Sequence, residues 1–353
     1  MNLKILRRQI DNLDKNIVKL LNNRANVTIE IAKVKHMTKQ SIYCPDRERE
    51  VLKRLALINQ GPVASGALEA IYREIMSASL ALEKNLKITY LGPQATFTHQ
   101  AALKRFGSQV EYVPCESITD VFREVEKNNS DYGVVPIENS VEGAVSHTLD
   151  MLVDSDLKIC SQVILDISHN LLALCPKDKI KRIYSNPMVF GQCRLWFEDN
   201  FRRAQRIEVS STTQAAQLAA RQKNSACIAS LLAARIYNLK IISRGIEDSP
   251  HNITKFLVIG NNDVPATGND LTSIIFSIKD KIGALHDMLI PFKTHKINLT
   301  KIESRPSKKK AWDYYFFVEF SGHKDAFLVK KALKQLENNC KFLKILGSYP
   351  AGG

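Results

Sequence analysis

The 353-residue sequence has no apolar run near the roughly 18 to 20 residues that cross a bilayer, so no membrane span or membrane partner is predicted. Its seven cysteines (Cys44, Cys115, Cys160, Cys175, Cys193, Cys227, Cys340) are scattered, odd in number and nowhere spaced as CxxC. That pattern argues against a disulfide framework or a zinc site, and for reduced thiols in a cytosol. No GxGxxG fingerprint follows a strand-like run, so a nicotinamide site is not indicated. Internal repeats and low-complexity tracts are missing too. Met1 to Arg8 lacks the apolar core and small-residue cleavage site of a signal peptide and already carries helical periodicity, which predicts a cytoplasmic chain.

What is present is 44% hydrophobic and 24% charged residues, the composition of a soluble globular protein long enough for two or three domains. The formal net charge of +14 raises the question of nucleic acid. The basic residues are mostly interleaved with acids, however, and no nucleic-acid motif accompanies them, so no nucleic-acid partner is expected. The densest cluster, Lys308-Lys309-Lys310, reads as a solvated turn. A positive field of this kind favours small anionic substrates.

Residues 6 to 34 carry a heptad (Leu6, Ile10, Leu13, Ile17, Leu20, Arg24, Val27, Ile31, Val34), the seam of a long helix packed against a partner. Pro45 ends that region and Asp46 is placed to cap a second helix with Val51, Leu52, Leu55 and Ile58. Gly61-Pro62 breaks again, and a third helix carries Leu68, Ile71, Ile75 and Leu82. Residues 1–85 therefore read as an all-α, three-helix domain. From Lys87, strand-like runs (Ile88–Leu91, Gly133–Ile137, Asn170–Leu174, Ala226–Ala229, Lys255–Ile259) alternate with helical stretches, an α/β pattern over residues 86–262. Thr98 is the expected N-cap of the helix running to Phe106. A polar linker, Asn261 to Asn269, leads to residues 270–353. There, strands at Thr272–Ile278, Ile297–Glu303, Trp312–Phe320 and Phe342–Leu346 and helices at Ala284–Phe292 and Lys324–Glu337 give the ferredoxin-like βαββαβ order.

Arg24 interrupts the seam between Leu20 and Val27. Unpaired burial of a guanidinium is costly, so Arg24 either snorkels to the edge, pairs with a seam carboxylate, or meets an anionic ligand. Lys35 lies three turns along nearly the same face, roughly 16 Å away. Two long cations so placed can close on one small dianion. Arg7 stands roughly 42 Å from Lys35 along a straight helix, so one helix cannot bring both to one ligand. An antiparallel partner chain can supply Arg7, which implies a homodimer with sites composed across the interface.

The segments Leu6-Arg-Arg-Gln-Ile-Asp-Asn-Leu-Asp14, Arg24, Lys35, Asp46-Arg-Glu-Arg-Glu50 and Ser77-Ala-Ser-Leu-Ala-Leu-Glu83 resemble the all-helical class of chorismate mutase, whose sites are shared between the chains of an intertwined dimer. The resemblance implies that Arg7, Arg24 and Arg47 bind the two carboxylates of chorismate. It implies that Lys35 and Glu83 contact the ether oxygen that breaks, Glu48 the ring hydroxyl, and Ser79 a carboxylate. Cys44 stands where the family has another contact. A Claisen rearrangement needs no nucleophile and no cofactor, only a compact conformer and charge stabilised on the departing oxygen. Glu83 occupies a position where some relatives carry Gln. To donate to that oxygen it must hold a proton, which burial beside the substrate has to favour.

Four later segments resemble prephenate dehydratase, whose α/β part is a two-subdomain, periplasmic-binding-protein-like fold: Tyr90–Thr98, Asp131–Val145, Ser185–Cys193 and Asn252-Ile-Thr-Lys-Phe256. The first is a strand-turn whose backbone amides can hold a carboxylate at a helix start. By resemblance, Thr254 is the hydroxyl at the leaving group, a hydrogen-bond donor or relay rather than a strong acid. Glu138, Asn139, Ser185 and Gln192 then shape the pocket, and Lys255 contacts substrate. Here Lys255 replaces an Arg, a point charge for a bidentate fork. Ala95 stands where Gly is usual, which matters if that position needs a positive φ. Asn186 and Met188 replace His and Gln.

Gly283-Ala-Leu-His286 and Glu303-Ser-Arg-Pro306 resemble effector motifs of the ACT domains in this enzyme family, with Ile282 in place of a frequent Pro. That implies L-phenylalanine held by Gly283, Ala284, Leu285, Glu303, Ser304, Arg305 and Pro306. The whole resembles a multidomain, bifunctional chorismate mutase/prephenate dehydratase of phenylalanine biosynthesis. Its implied substrates are chorismate and prephenate, its implied feedback effector L-phenylalanine, and it needs neither metal nor cofactor. A mutase fused to prephenate dehydrogenase is the enzyme rival, and the missing GxGxxG opposes it. A non-catalytic amino-acid-binding regulator is the other rival, and intact Arg7, Arg24, Lys35, Arg47 and Glu48 oppose that.

Overall fold

A computed structural model describes residues 2–38, 43–249, 251–278, 282–307 and 314–352; the Lys308-Lys309-Lys310 cluster and Trp312 lie outside them. Two units are formed, Met1–Lys87 with Phe106–Glu111, and Ile88–Arg105 with Tyr112–Gly353.

In the first unit the heptad lies within one 35-residue helix, α1 (Leu3–Met37), followed by α2 (Pro45–Ile58) and α3 (Ser65–Glu83). α2 opens on Pro45 with Cys44 at the N-cap, so Asp46 is not the cap. Proline suits the first helical position because it brings no N–H to leave unpaired, and Asp46 and Glu48 then fall in the first turn, where the helix dipole favours them. α1 packs on α3, yet Thr28 is its one buried residue. Ile10, Leu13, Ile17, Leu20, Val27, Ile31 and Val34 remain 46% to 66% exposed. The seam is there, and the single chain does not cover it.

The second unit begins with β1 (Lys87–Leu91), α4 (Phe97–Phe106), β2 (Glu111–Cys115), α5 (Ile118–Glu126), β3 (Tyr132–Asn139), β4 (Gly143–Ala144), α6 (Ser146–Asp154) and β5 (Lys158–Asp166). The chain then builds a second lobe from β6 (Asn170–Ala173), β7 (Arg182–Ser185), α7 (Pro187–Gln192), α8 (Arg194–Asn200), β8 (Gln205–Glu208), α9 (Thr212–Arg221), β9 (Ser225–Ala229), α10 (Leu231–Ile236) and β10 (Lys240–Ser243). It returns to the first lobe as β11 (Ile253–Gly260). The first sheet runs β2-β1-β3-β11-β5 with β4 on β3, and the second β10-β6-β9-β7-β8. This is the expected two-lobed layout, one sheet to each lobe.

Local chemistry fixes these elements. α5 buries Ile118, Val121, Phe122 and Val125, one stripe at helical spacing, under a Ser117 cap that accepts from Asp120 N–H at 3.1 Å. α9 lays Ala215, Ala216 and Ala219 on the second sheet. α4 starts at Phe97, and Thr96 Oγ1 accepts from the His99 amide at 3.3 Å, so Thr96 rather than Thr98 caps it. The preceding turn places Ala95 at φ +72.

The C-terminal part comprises β12 (Asp270–Ser277), α11 (Ala284–Thr294), β13 (Leu299–Pro306), β14 (Tyr314–Ser321), α12 (Phe327–Asn339) and β15 (Phe342–Pro350), in sheet order β13-β14-β12-β15 with antiparallel pairs throughout. One face of this sheet meets α11 and α12 through Phe276, Phe292, Phe320 and Leu333. The other shares a core with the first lobe, where Ile275, Phe317, Leu346 and Tyr349 join Ile137, Leu149, Ile159 and Leu257. At Gly347 (φ +156) a Cβ would stand 2.4 Å from the Ile159 carbonyl oxygen, so only glycine allows β15 this close to β5.

Candidate active sites

In the helical unit, Lys35 Nζ lies 2.9 Å from Glu83 Oε2, with the side chains 17% and 8% exposed. Three turns back on α1, Arg24 donates to Ser79 Oγ, and that hydroxyl donates to the Ile75 carbonyl at 2.8 Å. Eleven residues on α1 and four on α3 are both near-integral numbers of turns, so each helix presents its pair on one face. Burial raises the Cys44 thiol above its usual range; Lys35 opposes this, while Asp46, Glu83 and Glu48 add to it. Cys44 thus feels the charges of both α1 and α3. Arg47 instead pairs with Glu50 at 2.5 Å on the exposed face of α2, and Arg7 is exposed on α1.

The second unit holds a cleft of about 390 Å³ between its lobes. β3 and β11 supply its base. Asn139 Nδ2 donates to Thr254 Oγ1 at 2.8 Å and to Asn252 Oδ1 at 2.6 Å, while its Oδ1 accepts from the amides of Val141 and Glu142 at 2.9 and 3.1 Å. Those backbone bonds fix which way the amide points. Thr254 accepts from Asn139, so its own proton remains for a group in the cleft. Across the opening, Gln192 donates to Glu142 Oε1 at 2.9 Å and bonds His169 Nε2 at 2.8 Å. Burial pulls the His169 imidazole below its usual range, which Gln192 and Glu247 partly offset. Asn186 and Met188 also line the cleft, where among the described residues the one charged lining side chain is Glu142.

Asn252, His169 and Glu142 were not singled out from sequence. Asn252 and Glu142 lie inside the quoted segments, but His169, in the lobe connection, offered only a histidine beside a strand. Ser185 is fully buried and bonds the Ile228 carbonyl at 3.3 Å, away from the cleft lining. Glu138 and Lys255 point to the opposite side of the sheet from Asn139 and Thr254. Glu138 meets Lys301 at 2.9 Å and Lys255 meets Glu319 at 3.2 Å.

Gly283 precedes α11 at φ +77, with Ala284 buried and Leu285 exposed. Glu303, Ser304, Arg305 and Pro306 end the edge strand β13. Arg305 donates to Ser146 Oγ and lies 3.6 Å from Asp150, both on α6. Among the described residues, no group of three or more His, Cys, Asp or Glu is arranged for a metal ion, and no helix is long and apolar enough to cross a membrane.

A two-lobed cleft with a helical unit before it and a βαββαβ unit after it defines the class, and three family models match in that order. They are chorismate mutase type II over residues 6–84, prephenate dehydratase over 88–264 and the ACT domain over 272–338. The chain is 49% identical over 353 residues to a bifunctional chorismate mutase/prephenate dehydratase of Aquifex aeolicus, covering 99% of this chain and 98% of that one. It is 45% identical to the protein of that description from Pseudomonas aeruginosa, covering 99% and 97%. The prephenate dehydratase of Arthrobacter aurescens solved with L-Phe superposes with a TM-score of 0.69 at 31% identity, over 75% of this chain and 90% of that one. The chain belongs to the bifunctional chorismate mutase/prephenate dehydratase family, an isomerase and a lyase in one polypeptide.

Proposed function

We propose that the chain rearranges chorismate to prephenate in a domain of residues 1–85. It then dehydrates and decarboxylates prephenate to phenylpyruvate in residues 86–262, under feedback by L-phenylalanine at residues 270–353. In the mutase, Lys35 and Glu83 serve the ether oxygen, Arg24 and Ser79 one carboxylate and Glu48 the ring hydroxyl. The reaction is unimolecular, so fixing a compact conformer and stabilising charge on the departing oxygen suffice. Arg7 of a partner completes the site, and the exposed α1 seam supports a homodimer. Arg47, now paired with Glu50, turns to substrate when it binds.

The observation that carries the dehydratase reading is the Asn139–Thr254 bond, which leaves the Thr254 proton for the departing hydroxide. Carbon dioxide leaves with it as the ring aromatises. The α4 and α9 N-termini, with Thr96, Thr98 and Thr212 in the cleft lining, suit carboxylates in a cleft with no Lys or Arg lining it among the described residues. Effector bound by Gly283–Leu285 and Glu303–Pro306 acts by favouring one arrangement of the chain over another. Free thiols and a soluble substrate pair suit a cytoplasmic setting. The test is phenylpyruvate formation from supplied prephenate, with and without L-phenylalanine, beside chorismate consumption. Formation that L-phenylalanine suppresses supports the assignments together; chorismate consumption without phenylpyruvate refutes the dehydratase reading alone.

A further inference from the structure

Asn139 and Thr254 sit at the cleft ends of β3 and β11, and the ladder between these strands breaks just behind them. Lys255 lies opposite Glu138, but Phe256 lies opposite Pro136, leaving Ile137 as an extra residue on β3. A bulge bends its strand and re-aims the side chains beyond it. Beyond the bulge the pairing resumes, Glu138 with Lys255 and Ala144 and Asn139 with Thr254 and Gly143, so the bend decides where this end of β3 aims.

Behind the bulge, the C-terminal sheet supplies two charges. Lys301 of β13 reaches Glu138, and Glu319 of β14 reaches Lys255. Glu319 is held on both oxygens, by Thr300 Oγ1 at 2.7 Å and the Tyr349 hydroxyl at 3.0 Å, and that hydroxyl is tied to Ser273 at 2.7 Å. All four charged groups line a cavity of about 40 Å³ walled by Leu149, Leu257 and Phe317. Charge pairs in such surroundings add little cohesion over apolar packing, yet removing one partner strands the other. What they can supply is a fixed register.

Resting on the dehydratase reading above, we propose that Lys301 and Glu319 are positioning residues of the dehydratase site. They hold Glu138 and Lys255 from behind the sheet and so set the Asn139–Thr254 bond at the cleft. β13 carries Glu303–Pro306 as well, so the strand that bears the effector motif also touches the catalytic strand.

The experiment is phenylpyruvate formation from prephenate by the full chain, at raised enzyme concentration but with prephenate in excess and varied, so that slow variants still give kcat and KM. Chorismate consumption by the same samples is the internal control. Lys301→Met and Glu319→Gln are expected to lower kcat by about tenfold or more with KM little changed, the scale set by misplacing a reacting group by on the order of 1 Å. Chorismate consumption stays level, and Lys301→Arg keeps the dehydratase rate. In an Asn139→Ala background, where the bond is already gone, Lys301→Met costs little further; loss of folded protein would multiply in both backgrounds and overturn the proposal. Wild-type rates for Lys301→Met and Glu319→Gln beside an impaired Asn139→Ala chain also overturn it, leaving the dehydratase reading intact. Full activity of Asn139→Ala overturns that reading itself.

Discussion

Leu20→Glu is the sharpest test of the shared mutase site. Leu20 lies mid-seam on α1 and is 66% exposed in the single chain. Covering that much leucine contributes about 1 to 2 kcal/mol per chain. A carboxylate buried in its place costs at least a further 1 kcal/mol or so, and the symmetric dimer carries two copies. The combined loss is on the order of 4 kcal/mol or more, which weakens association about 1,000-fold. Sedimentation velocity across a chain-concentration series reads the assembly, and chorismate consumption reads the site. Because β13 is an edge strand of the C-terminal sheet and a second place for chains to meet, the mass alone is not decisive and the activity is. Chorismate turnover is expected to collapse at concentrations where the unmodified chain is active, while phenylpyruvate formation from supplied prephenate persists. Leu20→Glu with full chorismate turnover would refute the shared-site reasoning, whatever its mass.

Three further outcomes follow from the geometry. Co-expressed Arg7→Ala and Lys35→Met chains, each inactive alone as a mutase, should recover about a quarter of wild-type turnover, because half the dimers are mixed and each has one intact site; no recovery places both residues in one chain's site. Glu83→Gln keeps a hydrogen-bond donor at the ether oxygen and should retain most chorismate turnover, whereas Glu83→Ala should lose about 100-fold or more; equal losses in both remove the donor role. Burial holds the His99 imidazole at about 4, against 6.5 when unfolded, so the unfolded chain binds the extra proton between those values. The neutral form's stabilisation is complete above about pH 6.5 and lost as pH falls toward 4, up to about 3 kcal/mol. Melting curves of His99→Gln should show a shallower fall over that window; an unchanged slope clears His99.

Periodicity made the helical unit legible and left its surroundings unread. The heptad marked the apolar stripe on α1, but whether that stripe is covered is a property of the assembly. Strands were harder to read. β5 is buried along nearly its whole length and so shows no alternation, and Gln205-Arg-Ile-Glu208 in β8 has no apolar run at all. Such strands exist because a neighbour pairs with them, and a local window does not contain the neighbour. The cap of α4 was placed two residues late because both Thr96 and Thr98 satisfy the residue rule, and the turn decides between them. At φ +72 Ala95 costs about 1 to 2 kcal/mol relative to an ordinary conformation. Its amide donates to His99 Nδ1 at 3.1 Å, and the ring is stacked on Tyr90, so the turn is held from below.

The grouping of Glu138 with Asn139, and of Thr254 with Lys255, turns on a rule that needs no structure. Successive side chains on a strand face opposite sides of the sheet, so neighbours in sequence cannot both face one cleft unless a bulge intervenes between them. The bulge here falls before Glu138, not between Glu138 and Asn139, and the alternation survives. Asn139 and Thr254 therefore meet in the cleft, while their neighbours meet Lys301 and Glu319 on the far side. A motif read as one string thus has two physical halves: one touches the cleft, and the other touches the sheet that carries the effector motif.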